Sequence, residues 1–179
     1  MKELSLNVLD VTENSVKAKA TNIEILLTED ENAILTLVIS DNGCGMDAET
    51  VKRVTDPFYT TRTTRKVGLG VPLLKLAAEQ TGGTFSVRSE VGKGTEVRAT
   101  FDTKSIDFTP IGDMTSTMVT LIMGSPDINF TYRHKTPRGE VELLTSELRA
   151  QLGEVPLNHP DVIQWIREYL CEQYNNMED

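Results

Sequence analysis

Apolar and polar positions follow two rhythms along the chain, and the changes between them mark out its elements. From Lys2 to about Lys19 the apolar residues Leu6, Leu9 and Val16, with Ala20 just beyond, recur at helical offsets, which predicts an opening helix. The runs "TNIEILLTE" and "NAILTLVIS" then read as two strands joined by the acidic turn "EDEN". "DAETVKRV" has the form of a short helix capped by Asp47, and "GVPLLKLAAEQTGG" that of an amphipathic helix closed by glycine. A second hairpin follows, "TFSVRSE" and "TEVRATF" across "VGKG". Helices and hairpins in this order predict an α+β fold, a two-layer sandwich of helices on one antiparallel or mixed sheet.

The pattern changes near residue 103, which divides the chain into segments 1–103 and 104–179. In the second, "DMTSTMVTLIMG" suits a helix with Asp113 at its start and Gly124 past its end. "INFTYRHK" and "GEVELLT" suit a hairpin over "TPR", and "NHPDVIQWIREYLCEQ" suits a closing helix opened by Asn158 and Pro160. Trp165, Ile166, Tyr169 and Leu170 fall on one side of that helix and are expected in the core. The segment is either an appended module or a further layer of the same domain.

Composition narrows the functional classes. A chain of 179 residues, 39% hydrophobic, buries one good core with room for a small second unit. Its net charge of −9 argues against nucleic acid or an anionic membrane as a general partner, because a phosphate-tracking surface needs a basic field. No apolar run reaches the ~18–20 residues that span a bilayer, and "MKELSLNVLD" lacks the apolar stretch of a signal peptide, so a cytoplasmic location is expected. Cys44 and Cys171 lie far apart without metal-ligand spacing and fit reduced thiols.

Most of the candidate chemistry sits in the first segment. Asp10 and Asn14, spaced i and i+4, face one side of the opening helix, where an amide oxygen can hold Mg²⁺ and a carboxylate can orient water. "DNGCGMD", Asp41 to Asp47, follows directly on a buried strand. It has neither the alternating oxygens nor the later glutamate of a calcium loop, and Cys44 has acids rather than a base beside it. A carboxylate at a strand end can instead accept an amino proton from a base, with Gly43 and Gly45 letting the backbone pass close by. Between Lys52 and Lys66 stand Lys52, Arg53, Arg62, Arg65 and Lys66, a local positive field suited to a triphosphate. Gly68 and Gly70 open the next helix, whose amides can point at phosphate oxygens.

Five ordered segments, "DVTENSVKAKAT", "DNGCGMD", "DPFYTTR", "GLGVPLLK" and "GKGTEV", resemble the nucleotide-binding boxes of the GHKL superfamily of gyrase, ninety-kilodalton heat-shock chaperones, histidine kinases and MutL. The likeness covers about residues 4–101. The part from "DPFYTTR" onward looks most like a histidine-kinase catalytic domain, and the first box as much like MutL. The resemblance implies the histidine kinase-like ATPase fold, with ATP and Mg²⁺ as cofactors. It implies Asn14 as the magnesium ligand, Asp10 as general base where glutamate is usual, Asp41 as the adenine-specifying acid, and Thr95 as its support. Lys17, Gly43, Gly45, Met46, Arg62, Lys66, Gly68, Leu69 and Gly70 are implied nucleotide contacts, and Pro57 to Val67 a lid, with Lys66 where the kinases usually carry a glycine.

The chain opens almost at the first box, leaving no room for dimerisation helices, and neither His134 nor His159 has the phosphoacceptor pattern, so a self-contained sensor kinase is not expected. The leading expectation is a stand-alone ATPase or kinase-like subunit acting on or switching a separate protein partner. A serine/threonine kinase resembling the anti-sigma-factor kinases and a non-catalytic ATP sensor are the alternatives. Nucleic acid and membrane are not expected partners, and a second copy of the chain is left open.

Overall fold

The computed structural model describes residues 3–56 and 70–178. In chain order these form α1 (Leu4–Lys17), β1 (Asn22–Glu29), β2 (Ile34–Asp41), α2 (Ala48–Thr55), α3 (Gly70–Gln80), β3 (Phe85–Glu90), β4 (Gly94–Asp102), α4 (Met114–Gly124), β5 (Asn129–Thr136), β6 (Gly139–Leu144), α5 (Thr145–Leu152) and α6 (Pro160–Glu178). The strands make one open mixed sheet in the order β3-β4-β2-β1-β5-β6. Every neighbouring pair is antiparallel except β1 with β5, which run parallel. This is the α+β sandwich expected.

Strand alternation assigns the two faces. Ile23, Ile25 and Leu27 of β1, Leu35, Leu37 and Ile39 of β2, Val97, Ala99 and Phe101 of β4, and Phe130 and Tyr132 of β5 are buried toward the helices. The intervening Glu24, Thr28, Arg98, Arg133 and Lys135 are exposed. Register pairs Ile39 with Val97 and Asp41 with Thr95, so those last two lie on the helix side of the sheet, one step beyond the core.

The sheet and core continue across residue 103. β5 pairs along β1 from Asn22 to Thr28, and one buried cluster runs from Leu4 to Leu170. The connection after β4 also braces α1, which has no side-chain cap at Glu3. Its first amides are satisfied instead by Pro110 and Ile111, whose carbonyls accept from Leu4 and Ser5, each at 2.7 Å.

Three details differ from the sequence pattern. Leu6 is 48% exposed, and the buried face of α1 is Leu4, Val8 and Val11 with the polar Asn7, Thr12 and Ser15. The polar α5 was not foreseen; Leu148 and Leu152 are too few apolar residues to declare a helix, and Thr145 is anchored by its hydroxyl, which accepts from Phe130 N at 2.8 Å. On α6, Val162, Ile166 and Leu170 form the buried stripe, while Trp165 is 47% exposed and Tyr169 half-buried. A residue one step along a helix is turned by about 100°, which carries Trp165 off the stripe.

Candidate functional site

A cavity of about 200 Å³ opens between α1, α2, α3 and the helix side of β2, β3 and β4. Its walls are mostly aliphatic, with Val11, Ile39, Val54, Val71, Val87 and Val97 each contributed by a different element. Asn14, Ser15, Lys17, Asp41 and Thr95 supply the polar groups, and Ala18, Cys44, Gly45 and Met46 complete the lining. Apolar walls with a few convergent polar groups suit a flat ring carrying hydrogen-bonding edges.

Asp41 is held from two sides. Its Oδ2 accepts from the hydroxyl of buried Ser15 at 2.6 Å, and its Oδ1 from the amide of Gly43 at 2.8 Å. A carboxylate has about four acceptor positions, so each oxygen keeps a lone pair for a donor in the cavity. Thr95, opposite Asp41 in the β2–β4 register, is oriented through Ser89. Ser89 Oγ accepts from Met46 N at 2.7 Å and donates to Gly94 O at 2.9 Å. The Thr95 hydroxyl therefore donates to Ser89 Oγ, at 2.8 Å, and presents only acceptor capacity to the cavity.

The loop after β2 is seated by its glycines. A Cβ on Gly45, at φ +71°, would lie 2.0 Å from the Glu90 carbonyl oxygen, and one on Gly43 would lie 2.8 Å from Ala18 Cβ. These glycines let the loop pass against the β3–β4 turn and the end of α1, which sets the cavity wall; Gly45 itself also lines the cavity. The loop ends at Asp47, whose side chain accepts from Thr50 N at 2.8 Å and caps α2. The Thr50 side chain, and after it the Thr50 amide, hold the Asp47 carboxyl below the usual carboxylate range.

Asp10 stands apart from the cavity lining. It is exposed on α1, one turn before Asn14, and a Cβ on Gly70 would lie 2.9 Å from Asp10 Cβ. The start of α3 is thus tight against α1, secured by buried Asn7, whose Nδ2 donates to Gly70 O at 2.7 Å. Asn14, Lys17, Asp41, Gly45, Met46 and Thr95 are brought to one cavity, with Gly43 on Asp41 and Gly70 beside Asp10. Arg62, Lys66, Gly68, Leu69 and the lid from Pro57 to Val67 lie outside the described residues. Ser15 and Ser89 went unread in the sequence, though Ser15 adjoins Asn14 and Ser89 is the β3 partner of Thr95. Among the described residues no group of three His, Cys, Asp or Glu side chains could hold a metal.

An apolar pocket with an acid at its edge, set on the helix side of a mixed sheet, has the form of a small-ligand site in an α+β domain. A family model for the histidine kinase-, DNA gyrase B-, and HSP90-like ATPases matches residues 2–105, and the chain belongs to that family. A sensor protein of Shewanella frigidimarina is 36% identical over 97 residues, covering 52% of this chain and 15% of its own length. The sensor histidine kinase YxdK of Bacillus subtilis is 33% identical over 110 residues, covering 58% of this chain and 34% of its own length. The chain thus spans about a third or less of the curated relatives it matches. In fold it is similar to the Aquifex aeolicus MutL ATPase domain, solved as its ADP complex, with a TM-score of 0.52 and 14% identity over 94% of this chain and 88% of that one. That likeness extends past residue 105 into the segment that adds β5, β6 and α6.

Proposed function

We propose that the chain binds ATP with Mg²⁺ and acts as an ATPase or kinase-like unit on a separate protein. The observation that carries this reading is Asp41, a carboxylate fixed by Ser15 and Gly43 at the edge of an aliphatic cavity, with open acceptor positions suited to the amino group of adenine. The cavity fits a purine ring by its apolar walls, and Thr95 adds a second oriented acceptor.

The metal reading rests on Asn14 and the family. A single neutral oxygen, with no carboxylate cluster among the described residues, suits Mg²⁺, which takes most of its ligands from phosphates and water. Bound Mg²⁺ would neutralise phosphate charge. In this reading Asn14 would hold the metal, Lys17 would pair with the phosphates, and Asp10 would take the proton of the attacking water in hydrolysis or of the acceptor hydroxyl in transfer.

A second reading, nucleotide sensing without turnover, is favoured by the position of Asp10 outside the cavity lining. Phosphate release separates the two. With Asp10 as base, Asp10→Asn lowers release by a factor on the order of 10²–10⁴ and leaves ATP affinity nearly unchanged. Equal release from parent and variant removes Asp10 from the chemistry, and no release from either leaves the sensor. Asn14→Ala should weaken ATP binding in Mg²⁺ and change little in EDTA; equal losses in both would exclude Asn14 as the metal ligand.

A further inference from the structure

The second segment carries a feature that the nucleotide reading does not use. Trp165, the chain's single tryptophan, is 47% exposed and stacks on Tyr169 with ring centroids 4.9 Å apart and planes 10° apart. It borders a groove of about 340 Å³ between α5 and α6, lined by Leu148, Gln151 and Leu152 from one helix and Asp161, Val162 and Trp165 from the other. Val155, in the connection between the helices, is 43% exposed. None of these residues lines the nucleotide cavity.

Charge around the groove is one-sided. Asp161 has a 95% exposed side chain, and its one charged-group partner among the described residues is the His159 ring at 4.0 Å. Glu147, one helical turn before Gln151, and Glu154, just past Leu152, are exposed and make no ion pair among the described residues. The two arginines of the same helices are engaged elsewhere. Arg149 donates to Asn129 Oδ1, Pro126 O and Ile128 O, and Arg167 reaches Ser116 Oγ beside Asp113. Asp161 thus lines the groove, Glu147 and Glu154 flank its lining residues in sequence, and none of the three carboxylates has a lysine or arginine partner among the described residues. Such a charge pattern repels an anionic membrane or a nucleic acid and favours a cationic segment.

We propose that the α5–α6 groove docks a cationic amphipathic helix of a separate protein, with an apolar side chain against Trp165 and lysines or arginines over Glu147, Glu154 and Asp161. The trough between two helices accommodates a third helix by its apolar face, and Trp165, backed by its stack on Tyr169, forms part of one wall. The proposal rests on the preceding reading only for the existence of a separate partner chain.

The test uses the full chain without nucleotide, so that failure here leaves the ATP reading untouched. The probe is a fluorescein-labelled 18-residue amphipathic peptide of leucine and lysine, with a leucine–glutamate peptide of the same pattern as control. The leucine–lysine peptide is expected to bind, shift Trp165 emission to the blue and shield it from acrylamide, with the control about tenfold weaker or worse. Trp165→Ala should weaken binding by about tenfold or more, as for a central aromatic anchor. Glu154→Gln with Asp161→Asn should weaken it and flatten its salt dependence. Glu24→Gln with Glu96→Gln, on the opposite face of the sheet, should leave it unchanged. Equal binding of both peptides, indifference to Trp165→Ala, or equal sensitivity to the distant glutamates would overturn the proposal. So would concentration-dependent dimerisation that shields Trp165, which would assign the groove to a second copy of the chain.

Discussion

Asp41 illustrates how a single residue could be read ahead of the structure while its support could not. An acid at the end of an apolar strand, followed by glycines, is visible as a pattern, and the structure places it at the cavity edge. Ser15 is 26 residues away and looks like one more polar residue on a helix, until α1 is laid across β2 and its hydroxyl meets Asp41 Oδ2. Ser89 is likewise silent until β3 and β4 pair. Hydrogen bonds between elements depend on register and helix rotation, which composition does not carry. Ser15→Ala removes one of the two groups orienting Asp41 and should weaken ADP and ATP binding by about fivefold, near the ~1 kcal/mol of one hydrogen bond. Titration of the variant with ADP checks this; unchanged affinity would mean that Gly43 alone suffices.

At the scale of elements, all three hairpins, the closing helix and the α2 cap were legible, because strand alternation and Asp47 three residues before Thr50 are local signals. What was not legible is how elements substitute for missing local chemistry. α1 has no capping side chain and takes the carbonyls of Pro110 and Ile111 instead. The edge strand β6 is closed by α6, where Gln173 Oε1 accepts from Glu142 N at 3.1 Å and Gln173 Nε2 donates to Glu142 O at 3.0 Å. The amide thus acts as a short piece of strand, covering an edge that would otherwise be open to pairing. Gln173→Ala should lower stability by about 1–2 kcal/mol in urea denaturation, since two backbone groups of a half-buried residue lose their partners. An unchanged midpoint would show that water replaces the amide at no cost.

Over the whole molecule, the shared core and the β1–β5 pairing join the two segments that the sequence pattern divides near residue 103, so a single cooperative unfolding transition is expected for both. The two histidines, neither with a phosphoacceptor pattern, make local hydrogen bonds. His159 Nδ1 accepts from Asp161 N at the start of α6, and His134 is buried in β5 against the Tyr174 hydroxyl at 2.9 Å, with its Nε2 unpartnered among the described residues. Tyr174 in turn shares a short hydrogen bond with Tyr132. Burial depresses the His134 pKa from 6.5 to about 4. The unfolded chain therefore binds the proton first, and stability that is full above pH 6.5 falls between pH 6.5 and about 4, by about 3 kcal/mol from this group. Asp47 and Asp113, held below their usual range by Thr50 and Ser116, lose their contribution only at lower pH. Denaturation curves across that window, with His134→Gln as the flattened control, check the assignment; an identical slope in the variant would contradict it. The central claim, that this fold presents Asp41 to an adenine ring, is tested most directly by calorimetric titration of parent and Asp41→Asn with ATP, ADP and GTP. The parent is expected to bind ATP and ADP but not GTP, whose ring carbonyl would oppose the Asp41 carboxylate, and Asp41→Asn to lose ATP and ADP alike with its melting temperature nearly unchanged. ATP affinity equal in parent and Asp41→Asn, or GTP bound as well as ATP, would contradict it.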